Sequence, residues 1–398
     1  MAYAEEPREN ILESSTFLYS KSSLRVFGLW PYQEPKQRLI CRTSTAVLIG
    51  SLLIPTICIV LEQWRNFDYV VLGLPSFLYY VEFVTKYMYL AANQKKLEQI
   101  FGHIKNDFDT RKDRKLEILK DYATETRLFN HIYAAYLIIV VVMFNLSFYQ
   151  PHFLDLIMPL NESRPRPIPR LARYYVTSLD ESFNFVVLHG LVIDWYSMIF
   201  FLGHDTLLVN CAQHACALFK IVINDIQDCL VVQKNDKADD EDQFYRRISN
   251  TIDLHKWALE YTAMVDKMYM YVNLCIIGVS LLAITLSQYQ TAIHLDNTDL
   301  VIRYSFFSIG ELVHILYFNW PGQRIRDHSL SIYQACYNCE WYRDDISYRC
   351  KKLLKLMMAR SQLPSNLSAG KLYVLGYENF AQVLKASLSF FTVLLSVN

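Results

Sequence analysis

"MYMYVNLCIIGVSLLAITLSQ", residues 268–288, holds no Asp, Glu, Lys or Arg. A helix rises about 1.5 Å per residue and needs about 20 mostly apolar residues to cross a bilayer. This stretch has both the length and the composition, and it decides the class. Outward from it, six more segments read the same way: 39–61, 69–92, 129–149, 184–203, 299–320 and 373–397. The one at 129–149, "FNHIYAAYLIIVVVMFNLSFY", is equally free of charge. In lipid a chain must satisfy its backbone groups internally, which helices do. The predicted fold is therefore all-α: a polytopic membrane protein of seven transmembrane helices. Composition agrees, with 53% hydrophobic and only 20% charged residues, against about 25% charged in soluble domains.

The basic residues orient the bundle, because Lys and Arg collect on the cytoplasmic side. Residues 1–38 carry five, 93–128 nine, 204–267 seven and 321–372 nine. The alternate connections carry one in 62–68, four in 150–183 and none in 289–298. The N-terminus is predicted cytoplasmic, and seven spans then put the C-terminus outside. The start, "MAYAEEPREN", lacks the basic and apolar pattern of a signal peptide.

Residues 206–232 are apolar enough to suggest an eighth span. However, Asn210, Gln213, His214, Lys220, Asn224 and Asp228 recur at helical spacing. That pattern predicts an amphipathic cytoplasmic continuation of the fourth helix. Leu97, Ile100, Phe101, Ile104 and Phe108 also share a helical face, as do Ile346, Cys350, Leu353, Leu354, Met357 and Met358. These helices are predicted to extend the bundle as a packed base.

Several function classes are disfavoured. Lys plus Arg and Asp plus Glu number 39 each, leaving no bulk positive field to recruit nucleic acid. No H-E-x-x-H, P-loop or G-x-S-x-G occurs, so neither an enzyme nor a bound cofactor is expected. Cys336 and Cys339 form a lone C-x-x-C without the further ligands a zinc site needs, so no metal site is expected. Asn161-Glu162-Ser163 is a glycosylation sequon in the longest outer connection.

Polar residues inside the spans mark interior faces. Glu82 and Lys86 can pair at i, i+4, and His204 can pair with Asp205. Asp194, Arg303 and Glu311 are further buried charges. Aromatics gather towards the outer half of the bundle: Tyr79, Tyr80 and Phe83; Phe144, Ser147 and Phe148; Phe185 and His189; Tyr304 and Phe307. An apolar, aromatic cavity with a few hydroxyls suits a small neutral ligand. A cationic amine would want a carboxylate, and in this reading only Asp194 is a candidate, at a depth that argues against it.

Two stretches carry a resemblance. One is "LRVFGLWP" (24–31), just before the first span. The other runs from 353 to 395: a basic amphipathic helix, "ARSQLPSNLSAG", then a Glu-containing start to a Ser- and Phe-rich last helix. With the N-in, C-out bundle, they resemble the insect odorant receptors. That resemblance implies one seven-helix unit over 1–398. Residues 1–38 would be a cytoplasmic segment and 39–320 helices 1–6 with an odorant pocket in the outer half. Residues 321–372 would form a cytoplasmic anchor, and 373–398 a pore-lining helix.

It also implies a ligand-gated, non-selective cation channel of four subunits in the plasma membrane of a sensory dendrite. The partners would be membrane lipid, a small volatile odorant and a shared co-receptor. The co-receptor carries a large insertion where this chain has only "VVQKNDKADDEDQF" (231–244), so a tuning subunit is implied. The family's gate pattern falls on Val393 and Val397, with Ser389 and Ser396 beside them on the last helix. A gustatory receptor would share the topology, but its Thr-Tyr…Gln-Phe text is absent here. A G-protein-coupled receptor would want Asp-Arg-Tyr and Asn-Pro-x-x-Tyr, and neither occurs.

Overall fold

The computed structural model describes residues 10–65, 67–158, 179–235, 241–344 and 346–397. In chain order the helices are α1 (Leu18–Val26), α2 (Pro35–Glu62), α3 (Phe67–Ala92), α4 (Gln94–Thr110), α5 (Asp113–Leu146), α6 (Gln150–Ile157), α7 (Leu179–Asn235), α8 (Glu241–Ile293), α9 (Thr298–Asn338), α10 (Tyr348–Ser361) and α11 (Tyr377–Val397). The stretch 268–288 is the second half of α8. Asn161 and the rest of the 159–178 connection lie outside the described residues.

Six of these helices are long and apolar enough to cross a membrane: those over α2, α5, α7, α8, α9 and α11. The predicted second span, α3, is a 26-residue helix of the same bundle but is not among the six. Among the described residues, six crossings are supported by length and composition.

The apolar segments are the middles or ends of longer helices. Residues 206–232 do not fold back as a separate span. They continue the fourth segment in one unbroken helix of 57 residues, about 85 Å long at 1.5 Å per residue. From Leu207 to Val222 this helix is buried almost all round. It is the centre of the bundle, packed on α1, α5, α8 and α9.

The base forms where the basic connections are. On α4, Leu97, Ile100, Phe101 and Ile104 are at most 2% exposed, and burying each such side chain stabilises by about 1.5–3 kcal/mol. On α10, Cys350, Leu354, Met357 and Met358 face inward, as the spacing predicted. Asp107 ties this region together. It accepts from Arg111 at 2.8 Å, pairs with His214 at 3.0 Å and accepts the Trp257 indole N–H at 3.1 Å. Burial pushes its carboxyl up, but the hydrogen bond and charge of His214 and the charge of Arg111 outweigh this and hold it below the usual range.

"LRVFGLWP" is a tight turn. Leu24, Phe27, Leu29 and Trp30 are all buried, and the Leu29 and Trp30 amides both donate to the Leu24 carbonyl. Gly28 sits at φ +67°, with the Arg38 carbonyl 2.6 Å from where a Cβ would lie. Only glycine takes that backbone without strain.

The last helix starts later than the apolar run suggested. Ser368–Ala369 pairs antiparallel with Tyr373–Val374, so α11 begins at Tyr377. The predicted anchor, 321–372, divides into the end of α9, the separate helix α10 and this hairpin.

Candidate functional site

Four helices enclose a cavity of ≈ 120 Å³ near the middle of the bundle. From α3 come Tyr79, Tyr80 and Glu82, and from α7 Asp194, Met198 and Phe201. α5 lends one face: Tyr133, Tyr136, Leu137, Val140, Val141 and Phe144. α9 adds Phe306, Phe307, Gly310, Glu311 and His314. The spacing on α5 and α9 is i, i+3, i+4, which puts each set on one helical face. Such a chamber is mostly apolar with a few convergent polar groups, the usual make-up of a small-molecule site.

Its geometry is set by ring contacts and hydrogen bonds. Tyr79 packs on Phe201 with centroids 4.9 Å apart. Tyr133 stacks on Tyr317 at 3.7 Å. The Tyr136 hydroxyl donates to the Gly310 carbonyl at 2.9 Å, joining α5 to α9. Tyr80 and the Asn145 amide each donate to Asp194 at 3.2 Å.

Beside the cavity lies a buried ionic cluster. The Lys86 ammonium sits 2.9 Å from Glu82 and 3.0 Å from Asp205. His314 Nε2 is 3.1 Å from Asp205, which also meets the ring of His204 at 2.9 Å and accepts from Tyr133 at 2.8 Å. Lys86 further lies over the rings of Phe201 and Phe318, 4.4 and 4.7 Å from their centroids. Such cation–π contacts help hold a charge away from water. The local pairs Glu82–Lys86 and His204–Asp205 are thus parts of one network spanning α3, α7 and α9.

One atom of each of Glu82, Glu311 and His314 lie within 4.8 Å of one another, near enough to hold a metal ion. The geometry opposes it. Glu82 already pairs with Lys86, and Lys86 Nζ lies 3.1 Å from His314 Nε2. A divalent ion there would face the lysine charge at short range.

Of the ten residues suggested for the pocket, Tyr79, Tyr80, Phe144 and Phe307 line this cavity. The others sit elsewhere. Phe83 is buried against Phe200, at 4.6 Å, on the side of the N-terminal turn. The Ser147 hydroxyl caps its own helix at the Phe144 carbonyl. Phe148 packs with Phe183 and Val187 under the Arg303 guanidinium. Phe185 is 62% exposed and lies parallel to His189, whose ring meets Ser51 at 2.9 Å. Tyr304 is buried outside the lining. Tyr133, Tyr136 and Phe201 are lining residues that the sequence reading missed. The aromatics expected in the pocket lie mostly at the outer ends of the spans, whereas the cavity is lined from nearer their middles. Asp194, Glu82 and Glu311 all stand on its wall.

On α11, Val393 is 56% exposed and Ser389 and Ser396 are exposed. Val397 ends the helix. Its inner face is Val383 and Ser387, packed against α8 and α9. The chain entering α11 is held by α9. Asn319 Oδ1 accepts the Tyr373 hydroxyl and the Gly376 amide, both at 2.9 Å, and Gln323 Oε1 accepts the Tyr377 amide at 3.3 Å.

The model of a family described as 7tm Odorant receptor matches residues 66–388. Among curated relatives, Odorant receptor 2a of Drosophila melanogaster is 36% identical over 102 residues, 25% of this chain and 24% of that protein. The Odorant receptor coreceptor of the same species is 25% identical over 150 residues, 37% of this chain and 30% of that one. These alignments span about a quarter to a third of the relatives' length. A solved structure of the insect olfactory receptor OR5 from Machilis hrabei in complex with eugenol superposes with a TM-score of 0.73, covering 96% of this chain and 97% of that one at 14% identity. At that identity the likeness is one of fold.

Proposed function

The chain belongs to the 7tm odorant receptor family, a family of multi-pass membrane receptors, and from that premise we propose that it is the odorant-binding subunit of a heteromeric ligand-gated cation channel. A small volatile molecule occupies the cavity between α3, α5, α7 and α9. Its binding moves α9, and α9 moves the linker into α11. The partner is the odorant receptor co-receptor, in an assembly of four subunits in the plasma membrane of a sensory dendrite. The N-terminus is cytoplasmic, the C-terminus outside, and Asn161 carries a glycan.

The observation that carries this reading is the continuity of α9. The helix contributes Phe306, Phe307, Glu311 and His314 to the cavity, and less than two turns beyond His314 its Asn319 holds the entry to α11. Between Asn319 and Gln323 stand Pro321 and Gly322. Proline removes one intrahelical hydrogen bond, so the helix is softest where it meets the linker. The face of α11 that exposes Ser389, Val393 and Ser396, and to which Val397 belongs by helical spacing, is then the face that meets the pore, where an apolar ring gates by dewetting.

The test is voltage clamp of cells expressing this chain with a co-receptor and a broad odorant panel. Odorant-evoked, non-selective cation current without G-protein input supports the reading. No current from an assembled complex at the cell surface overturns it.

A further inference from the structure

The carboxyl groups around the cavity differ in what answers them. Glu82 has Lys86 at 2.9 Å. Asp205 has Lys86, His204, His314 and the Tyr133 hydroxyl, all within 3.1 Å. Asp194 has the Tyr80 hydroxyl and the Asn145 amide. Glu311 is the exception in pairing: Glu82 Oε1 also lacks a hydrogen bond, but it has the Lys86 ammonium at 2.9 Å. Glu311 is 8% exposed and lines the cavity, yet its Oε2 has no hydrogen-bond partner. The nearest basic group is His314 Nδ1, at 3.9 Å, and the other ring nitrogen of that histidine is committed to Asp205.

A buried carboxyl oxygen without a donor is costly, and proteins seldom leave one. The missing donor is therefore expected from whatever fills the cavity. Tyr79, Tyr136, Phe306 and Phe307 line the same cavity as Glu311. Aromatic faces attract a cation, and here two rings already lie over the Lys86 ammonium. We propose that the cavity takes a small protonated amine, its ammonium on Glu311 and an apolar body of about one ring against the tyrosines and phenylalanines. The cavity, at ≈ 120 Å³, is slightly smaller than the ~150 Å³ that accepts benzene, so a single ring is the upper limit of size. This rests on the cavity being the ligand site, and it replaces the neutral ligand suggested by the sequence with a charged one.

The experiment compares benzylamine, benzyl alcohol and toluene on cells expressing this chain with its co-receptor. The three share a ring and differ in the group that would meet Glu311. Benzylamine is expected to evoke current at concentrations at least about tenfold lower than either neutral compound, equivalent to about 1.4 kcal/mol. Glu311→Gln should reduce that advantage to about twofold or less, while Glu311→Asp, which keeps the carboxylate, retains part of it. Equal or greater potency of benzyl alcohol or toluene overturns the proposal on the wild-type protein alone, whether or not the variants fold. So does an advantage that survives Glu311→Gln. Silence to all three alongside a response to some other odorant defeats the amine assignment and leaves the receptor reading standing. Silence to every odorant, with the complex at the surface, defeats that reading itself.

Discussion

Lys86 lies fully buried in an apolar bundle because three helices bring groups to meet it. α3 supplies Glu82 one turn away, α7 supplies Asp205 and α9 supplies His314. Lys86→Met would leave both carboxylates facing each other without their cation. Breaking a buried pair in this way costs about 3–5 kcal/mol. A clear fall in the melting temperature of the purified complex is expected, and an unchanged one would mean the network contributes little. Asp107 offers a pH test in the base. Its native carboxyl is held below its unfolded value, so its contribution is present above about pH 4 and is lost as pH falls through the lower native value. Asp107→Asn should therefore destabilise the protein at neutral pH. The gap to wild type should narrow progressively in melting curves recorded as the pH is taken below about 4. A gap that stays constant with pH would show that ionisation of Asp107 is not what holds α4 to α7 and α8.

The elements were legible to different degrees. Helical spacing gave α4 and α10; it also gave the unbroken continuation of α7, but not its surroundings, because Asn210, Gln213, His214 and Asn224, read as the polar face of an amphipathic helix, are buried at the centre of the bundle. The start of α11 was not legible, since an apolar run does not reveal that Tyr373–Val374 pairs with Ser368–Ala369. Nor was the cavity. Aromatics occur on every span but the first, 39–61, and which of them converge depends on the rotation of each helix, set by contacts such as Tyr136 to Gly310. Glu82, Asp194 and Glu311 were recognisable as interior charges, but not as neighbours. For α9 the account makes a specific claim. Asn319→Ala should raise the odorant concentration needed for current by about tenfold, or about 1.4 kcal/mol, with surface expression unchanged. Gly322 backs the same linker so closely that a Cβ would lie 2.5 Å from the Leu375 carbonyl oxygen. Gly322→Ala should impair gating in the same direction. Dose–response curves matching wild type for both variants would separate α9 from the gate.

At the scale of the whole molecule, α11 has a buried side and an exposed one. Val383 and Ser387 pack inward, and Val393 is open in the single chain. Val393→Ala is expected to raise basal leak or alter ion permeation, measured as current without odorant. An epitope tag after Asn398 should be accessible on intact cells if the basic connections are inside. The most direct test fills the cavity itself. A Cβ at Gly310 would meet only Tyr136 Oη at 3.7 Å and Val140 Cγ1 at 3.8 Å, so a side chain there can grow into the chamber. Voltage clamp of the co-receptor complex should then show odorant-evoked current for wild type, and loss of that current for Gly310→Leu at normal surface expression and basal conductance. Undiminished odorant responses in Gly310→Leu would contradict the claim that this cavity opens the pore.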